Sequence, residues 1–137
     1  MGSYPELAHN IKPTIVHILQ AQVLALSCLQ PIRDMFGTLI VTSWLRDETL
    51  NAKVGGSLQS DHLYGSAADF ISIDENVEAV FRWVVEVSEI PYRQVIYYPD
   101  KNFIHISCNH PRKPLKNEAL ICTGPGKYIE FSNYYGE

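Results

Sequence analysis

Gln94-Val95-Ile96-Tyr97-Tyr98, then Pro99-Asp100-Lys101-Asn102, then Phe103-Ile104-His105-Ile106-Ser107-Cys108: two short runs of β-branched, aromatic and apolar residues flank four residues of turn-forming type. The runs suit the half-buried surface of a sheet, and the Pro-Asp-Lys-Asn segment suits a chain reversal. The stretch therefore predicts a β-hairpin, Gln94 to Tyr98 paired with Phe103 to Cys108. Alternation within the second strand puts Ile104 and Ile106 on the core face. His105 then points the other way, into a cleft.

Working outward, Val77, Val80, Phe81, Val84 and Val87 form a helical stripe ended by Pro91, with Ser72 and Glu75 spaced as a capping box. Ala67 to Ser72 predicts a strand, as does Thr38 to Trp44. Arg46 to Lys53 reads as a short helix closed by Gly55-Gly56, and Val54 to Gly65 as a loop. Near the start, Ile15, Ile18, Leu19, Val23, Leu26, Leu29 and Ile32 recur at three- and four-residue steps. They predict a long helix from Thr14 to Met35 with this stripe as its buried face, kinked or split at Pro31 and stopped at Gly37. Beyond the central hairpin, Ala119 to Cys122 and Lys127 to Phe131 flank Gly124-Pro125-Gly126 as a second hairpin. Helices first, mixed elements next and strands last define the α+β class: a small mixed or antiparallel sheet with the N-terminal helices packed on one side.

The chain has 137 residues, 46% hydrophobic and 19% charged, which suits one domain, residues 1–137, with a sizeable core. A net charge of −4 with scattered lysines and arginines gives no pull toward nucleic acid. No run approaches the roughly 18 to 20 uninterrupted apolar residues of a membrane-spanning helix, so no membrane insertion is expected. Met1 to Asn10 lacks the pattern of a secretory signal. Cys28, Cys108 and Cys122 include no Cys-x-x-Cys pair and read as buried thiols, with one disulfide plus one free thiol as the other arrangement.

His62, Asp69 and His105 match the count of a catalytic zinc site, in which three nitrogen and oxygen ligands leave a fourth position for water. A carboxylate in mid-strand, as at Asp69, is costly unless exposed or paired, and a metal is one way to satisfy it. Taken alone the pattern is weak, because a histidine in a strand is more often an ordinary hydrogen-bonded residue.

Ser60-Asp61-His62-Leu63-Tyr64-Gly65-Ser66-Ala67-Ala68-Asp69 fits S-x-H-x-x-G-x-A-x-D, and on it the chain resembles the zinc D-alanyl-D-alanine carboxypeptidase-like family. Leu29 to Asp34, Val41 to Arg46, Leu50-Asn51 and Phe103 to Ser107 extend the resemblance over about residues 14–131. It implies the fold shared with the hedgehog signalling domain and one Zn2+ per chain on His62, Asp69 and His105. It also implies hydrolysis of peptidoglycan peptides, of D-Ala-D-Ala carboxypeptidase or L-Ala-D-Glu endopeptidase type. Arg46 is carried over as the group that holds a substrate carboxylate or carbonyl, and Ser60 as a substrate-orienting hydroxyl. Without the resemblance, Arg46 reads as a solvated arginine and Ser60 as a loop or cap residue.

The family places a carboxylate general base three residues before the second histidine, and here that residue is Asn102, which orients water but cannot take its proton. Some phage relatives carry a glutamate at the end of the preceding strand, where this chain has Tyr98, a candidate hydrogen-bond donor to an oxyanion. Asp100, in the turn, is the replacement base, with a plain turn residue as the even alternative. Trp44, standing where the family often has glycine, is expected to reshape the cleft near Arg46. The resemblance to phage enzymes implies a monomer made in the cytoplasm without a signal, acting at the bacterial cell wall through phage lysis or as part of the virion. The alternative is a zinc-binding, catalytically weakened or inactive relative that serves as a binding or virion protein.

Overall fold

The computed structural model describes residues 12–54, 60–109 and 116–136. The predicted stop at Gly55-Gly56 and the next three residues of the predicted loop, 57–59, lie outside these residues. Thirteen elements succeed one another: α1 (Ile15–Leu24), a π-helical turn (Ala25–Leu29), α2 (Gln30–Phe36), β1 (Leu39–Ser43), α3 (Glu48–Lys53), a 3-10 turn (Asp61–Tyr64), β2 (Ala67–Ser72), α4 (Val77–Glu86), β3 (Gln94–Tyr98), β4 (Phe103–Ser107), β5 (Glu118–Gly124), β6 (Lys127–Glu130) and α5 (Phe131–Tyr135).

The six strands form one sheet in the order β1-β2-β4-β3-β5-β6. Neighbours are antiparallel except β3 and β5, which run parallel, so the sheet is mixed. The predicted hairpin stands, and Asn102 takes the left-handed conformation (φ 56°) that closes its turn. Across the sheet, Asp69 is paired with His105, His105 with Ile96, and Ile96 with Leu120. Directly opposed residues share a face, so this register alone sets Asp69 and His105 side by side. On the other face Phe70, Val95, Ile104, Ile106 and Ile121 pack against Val80, Phe81 and Val84 of α4 and against Leu24, Cys28 and Ile32.

Helix α1 begins at Thr14, whose hydroxyl accepts from the His17 amide while the His17 ring accepts from the Thr14 amide. Pro31 cannot donate a backbone hydrogen bond, and the chain absorbs the loss in the preceding π-helical turn without ending the helical run. In this segment the expected buried stripe holds only at Ile32, which is buried, and Leu29, which packs against the core. The segment's buried residues are Gln20, Leu24, Cys28 and Ile32, one stripe at four-residue steps, whereas Ile15 is 76% exposed and Leu26 72%. The run from Ile15 to Phe36 spans 22 residues and is long and apolar enough to cross a membrane by length and composition. Counting uninterrupted apolar residues passes over it because Gln20, Gln22, Ser27 and Gln30 are polar yet uncharged.

Two smaller expectations also change. Helix α4 is capped by Asn76, whose side chain accepts from the Ala79 amide, and the Ser72 hydroxyl instead holds the Glu75 amide before the helix begins. Cys28 and Cys108 are buried free thiols, with burial pushing them up to about 12 and about 11, but Cys122 is only half-buried.

Candidate metal centre

The centre is built from one loop and two adjacent strands. Ser60 starts the 3-10 turn by accepting the His62 amide on its hydroxyl, and Gly65 ends it in the left-handed conformation (φ 73°). A side chain on Gly65 would also meet the His17 carbonyl oxygen at 3.2 Å, so glycine is required both by its dihedral and by the closeness of α1. The Trp44 indole donates to the Gly65 carbonyl at 2.7 Å, which pins the far end of the same turn. The ring lies against Gly65 and is not among the cleft-lining residues, so its expected role in narrowing the cleft gives way to one in bracing the loop.

The ligand atoms of His62, Asp69 and His105 all lie within 4.8 Å of one another, and all three residues are buried. One oxygen of Asp69 is 3.1 Å from His62 Nε2 and 3.0 Å from His105 Nδ1. Its second oxygen accepts from Arg46 at 3.1 Å. Arg46 is itself 5% exposed and spreads its fork: Nε donates to Ser43 Oγ, one terminal nitrogen to Asn51 Oδ1 and the other to Asp69. The arginine thus orients the carboxylate and leaves its other oxygen facing the histidines.

Whether these residues suit a metal is decided by His62. Its Nδ1 is 2.6 Å from the Trp44 carbonyl, which can only accept, so Nδ1 carries the hydrogen and Nε2 presents a lone pair. That lone pair faces a carboxylate oxygen at 3.1 Å. Two acceptors hold such an approach only with a cation between them. Burial lowers the His62 pKa more than nearby Asp69 raises it, so the ring does not supply that cation by taking a second proton. Burial pushes Asp69 upward, but its contacts within the centre, the hydrogen bond with His105 foremost, outweigh this and hold the carboxyl well below the usual range. Two imidazoles and an ionised carboxylate, oriented from behind, fit a divalent ion.

The centre lies on the wall of a cleft of about 700 Å³. Arg46, Ser60, Asp61, His62, Asp69 and His105 line it from one side; Ile96, Tyr98, Leu120, Cys122 and Tyr128 come from β3, β5 and β6. Asp100 lines it from the exposed hairpin turn. Asn102 is exposed and is not among the lining residues, its backbone being committed to the turn through a 2.7 Å hydrogen bond to the Tyr98 carbonyl. Sequence reasoning passed over Asp61 and Arg93, which form a buried ion pair at 2.8 Å beside His62. The two are 32 residues apart in no periodic pattern, and only the fold joins them.

A buried two-histidine, one-carboxylate centre on the wall of a cleft is the donor set of a metal-dependent enzyme. The family model described as Peptidase M15 matches residues 4–107, about three-quarters of the chain, and no curated protein sequence matches it. The chain belongs to the Peptidase M15 family, a family of zinc metallopeptidases of the D-Ala-D-Ala carboxypeptidase type. The match begins before Thr14 and stops at Ser107, so β5, β6 and α5 lie beyond it.

Proposed function

We propose that this zinc peptidase hydrolyses peptide bonds of peptidoglycan, as a D-Ala-D-Ala carboxypeptidase or an L-Ala-D-Glu endopeptidase, in the service of a bacteriophage. The observation that carries the chemistry is the lone-pair-to-carboxylate approach of His62 and Asp69 on the wall of an open cleft. The peptidoglycan substrate and the phage setting rest on the sequence signature around His62. His62, Asp69 and His105 would hold a zinc ion, whose Lewis acidity would polarise a peptide carbonyl and acidify water.

The protein's own residues do the rest. Arg46 keeps Asp69 ionised and aimed, and its charge lies close enough to the cleft to favour negative charge on the scissile carbonyl oxygen. Asp100 faces the same cleft from the turn and is the carboxylate assigned to take the proton of the attacking water. Ser60 holds the loop under His62, and its substrate-orienting role is secondary to that cap.

One specific observation favours the alternative of a weakened binding or virion protein: the residue three before His105 is an exposed asparagine that is not among the cleft-lining residues. The two readings separate in one preparation. Elemental analysis is expected to find one zinc per chain, and incubation with purified Gram-negative peptidoglycan to release new amines. Asp100→Ala is expected to keep zinc and lose turnover. Zinc without amine release selects the binding protein, and a metal-free wild type overturns the site.

A further inference from the structure

The family match ends at Ser107, yet residues beyond it build a wall of the cleft: Leu120 and Cys122 on β5, Gly124 to Gly126 at the hairpin tip and Tyr128 on β6. On β3, Ile96 sits in register with His105, and alternation carries Tyr98, two residues on, to the same face. The Tyr98 ring lies flat on Phe103, centroids 4.3 Å apart and 9° from parallel, which fixes where its hydroxyl points. The Tyr128 ring meets it edge-on, centroids 6.5 Å apart and 87° between planes, and lines the same cleft. Tyr98 lines the same cleft as Asp69 and Arg46.

We infer that Tyr98 is a catalytic hydrogen-bond donor to the oxygen that becomes negative during peptide hydrolysis, and that Tyr128, brought in by the β5–β6 pair, is the residue that positions it. The inference rests on the proposed peptidase activity and deepens it. A hydroxyl rotates to suit its partners, so with substrate present Tyr128 donates to Tyr98 and Tyr98 donates onward to the oxyanion. Burial pushes the Tyr98 hydroxyl far above its ordinary range, so it stays protonated, as a donor must. A rigid donor in a partly desolvated cleft acts on the transition state more than on the bound peptide.

The test uses the zinc-loaded full chain and two phosphinate dipeptides, analogues of D-Ala-D-Ala and of L-Ala-D-Glu, whose tetrahedral anion mimics the transition state. Tyr98→Phe keeps the ring stack and removes the donor. It is expected to weaken phosphinate binding about 100-fold and to lower kcat by a similar factor, with zinc content intact and peptide affinity changed less than about threefold. Tyr128→Phe should cost about tenfold, and the double variant should be no worse than Tyr98→Phe alone, because a positioning residue acts only through its partner. Tyr134→Phe, on exposed α5, is the unchanged control.

Additive losses in the double variant would make Tyr128 an independent contact and overturn its positioning role. Unchanged phosphinate binding in Tyr98→Phe, or a wild type that binds neither phosphinate, overturns the donor. Phosphinate binding that shows the expected pattern without any cleavage of cell wall defeats the peptidoglycan reading and leaves the tyrosine pair standing.

Discussion

The metal centre and the first helix each break the ordinary rule of polar outside and apolar inside, in opposite directions. At the centre, His62 and Asp69 are each 2% exposed and Arg46 is 5% exposed, but the carboxylate has a partner for each oxygen and the arginine a partner for each of its three nitrogens. On α1 and the turn after it, Ile15, Val16, Leu19 and Leu26 stand more than half exposed. Burying charge is costly unless every lone pair and proton is matched, so the centre is a tightly conditioned piece of structure. An exposed apolar side chain forgoes only a little stabilisation and constrains nothing. Removal of one part should therefore be severe in the first region and mild in the second.

The largest effect is expected from Asp69→Ala. It strips the metal of a ligand and leaves Arg46 as a buried charge without its carboxylate, costing about 3–5 kcal/mol in denaturant unfolding together with loss of stoichiometric zinc. A variant that unfolds like wild type would mean that the cluster is not an interlocked unit. Leu24→Ala, on the inner face of α1, comes next, at about 2–5 kcal/mol for a cavity in the core.

Acidification is the third test, on metal-free protein. The folded pKa of His62 lies below its unfolded value, so its contribution is complete above about pH 6.5 and declines as the unfolded chain takes up a proton the buried ring refuses. Asp69 is also depressed, and its contribution is lost further down, as pH falls from about 4 through its folded value. The thermal midpoint should thus fall in two stages from neutrality, and a midpoint that is flat between pH 7 and 5 would show that His62 has no part in the decline. Leu26→Ser, on the exposed face, is the smallest: within about 0.5 kcal/mol of wild type by the same unfolding assay. A loss comparable to Leu24→Ala would show that the outer face is covered in solution.

How far the residues alone could be read obeys the same division. Strand positions were legible because alternation is a local signal: Ile104, His105 and Ile106 announce two faces, and β3 and β2 fall on the predicted residues. The orientation of the first helix was not, because apolar residues occur around its whole circumference. Any three-and-four stripe through them looks like a buried face. The stripe that is buried includes Gln20 and Cys28, which no hydrophobic pattern singles out. At the site, the His62, Asp69 and His105 constellation was legible through the family resemblance carried by Ser60 to Asp69 and Phe103 to Ser107, whereas its supports were not. Ser43, Asn51 and the Trp44 carbonyl act through directed hydrogen bonds that exist only once β1, α3 and the 3-10 turn are stacked together.

The parallel pairing of β3 with β5 bears on how the cleft is put together. Gln94 pairs with Glu118, so β5 must return across more than twenty residues to lie beside a strand that already has its other neighbour. His62, Asp69 and His105 all precede β5 and β6 in the chain. The ligand set and the far wall of the cleft therefore come from separate stretches of the chain, joined only where β5 lies down beside β3.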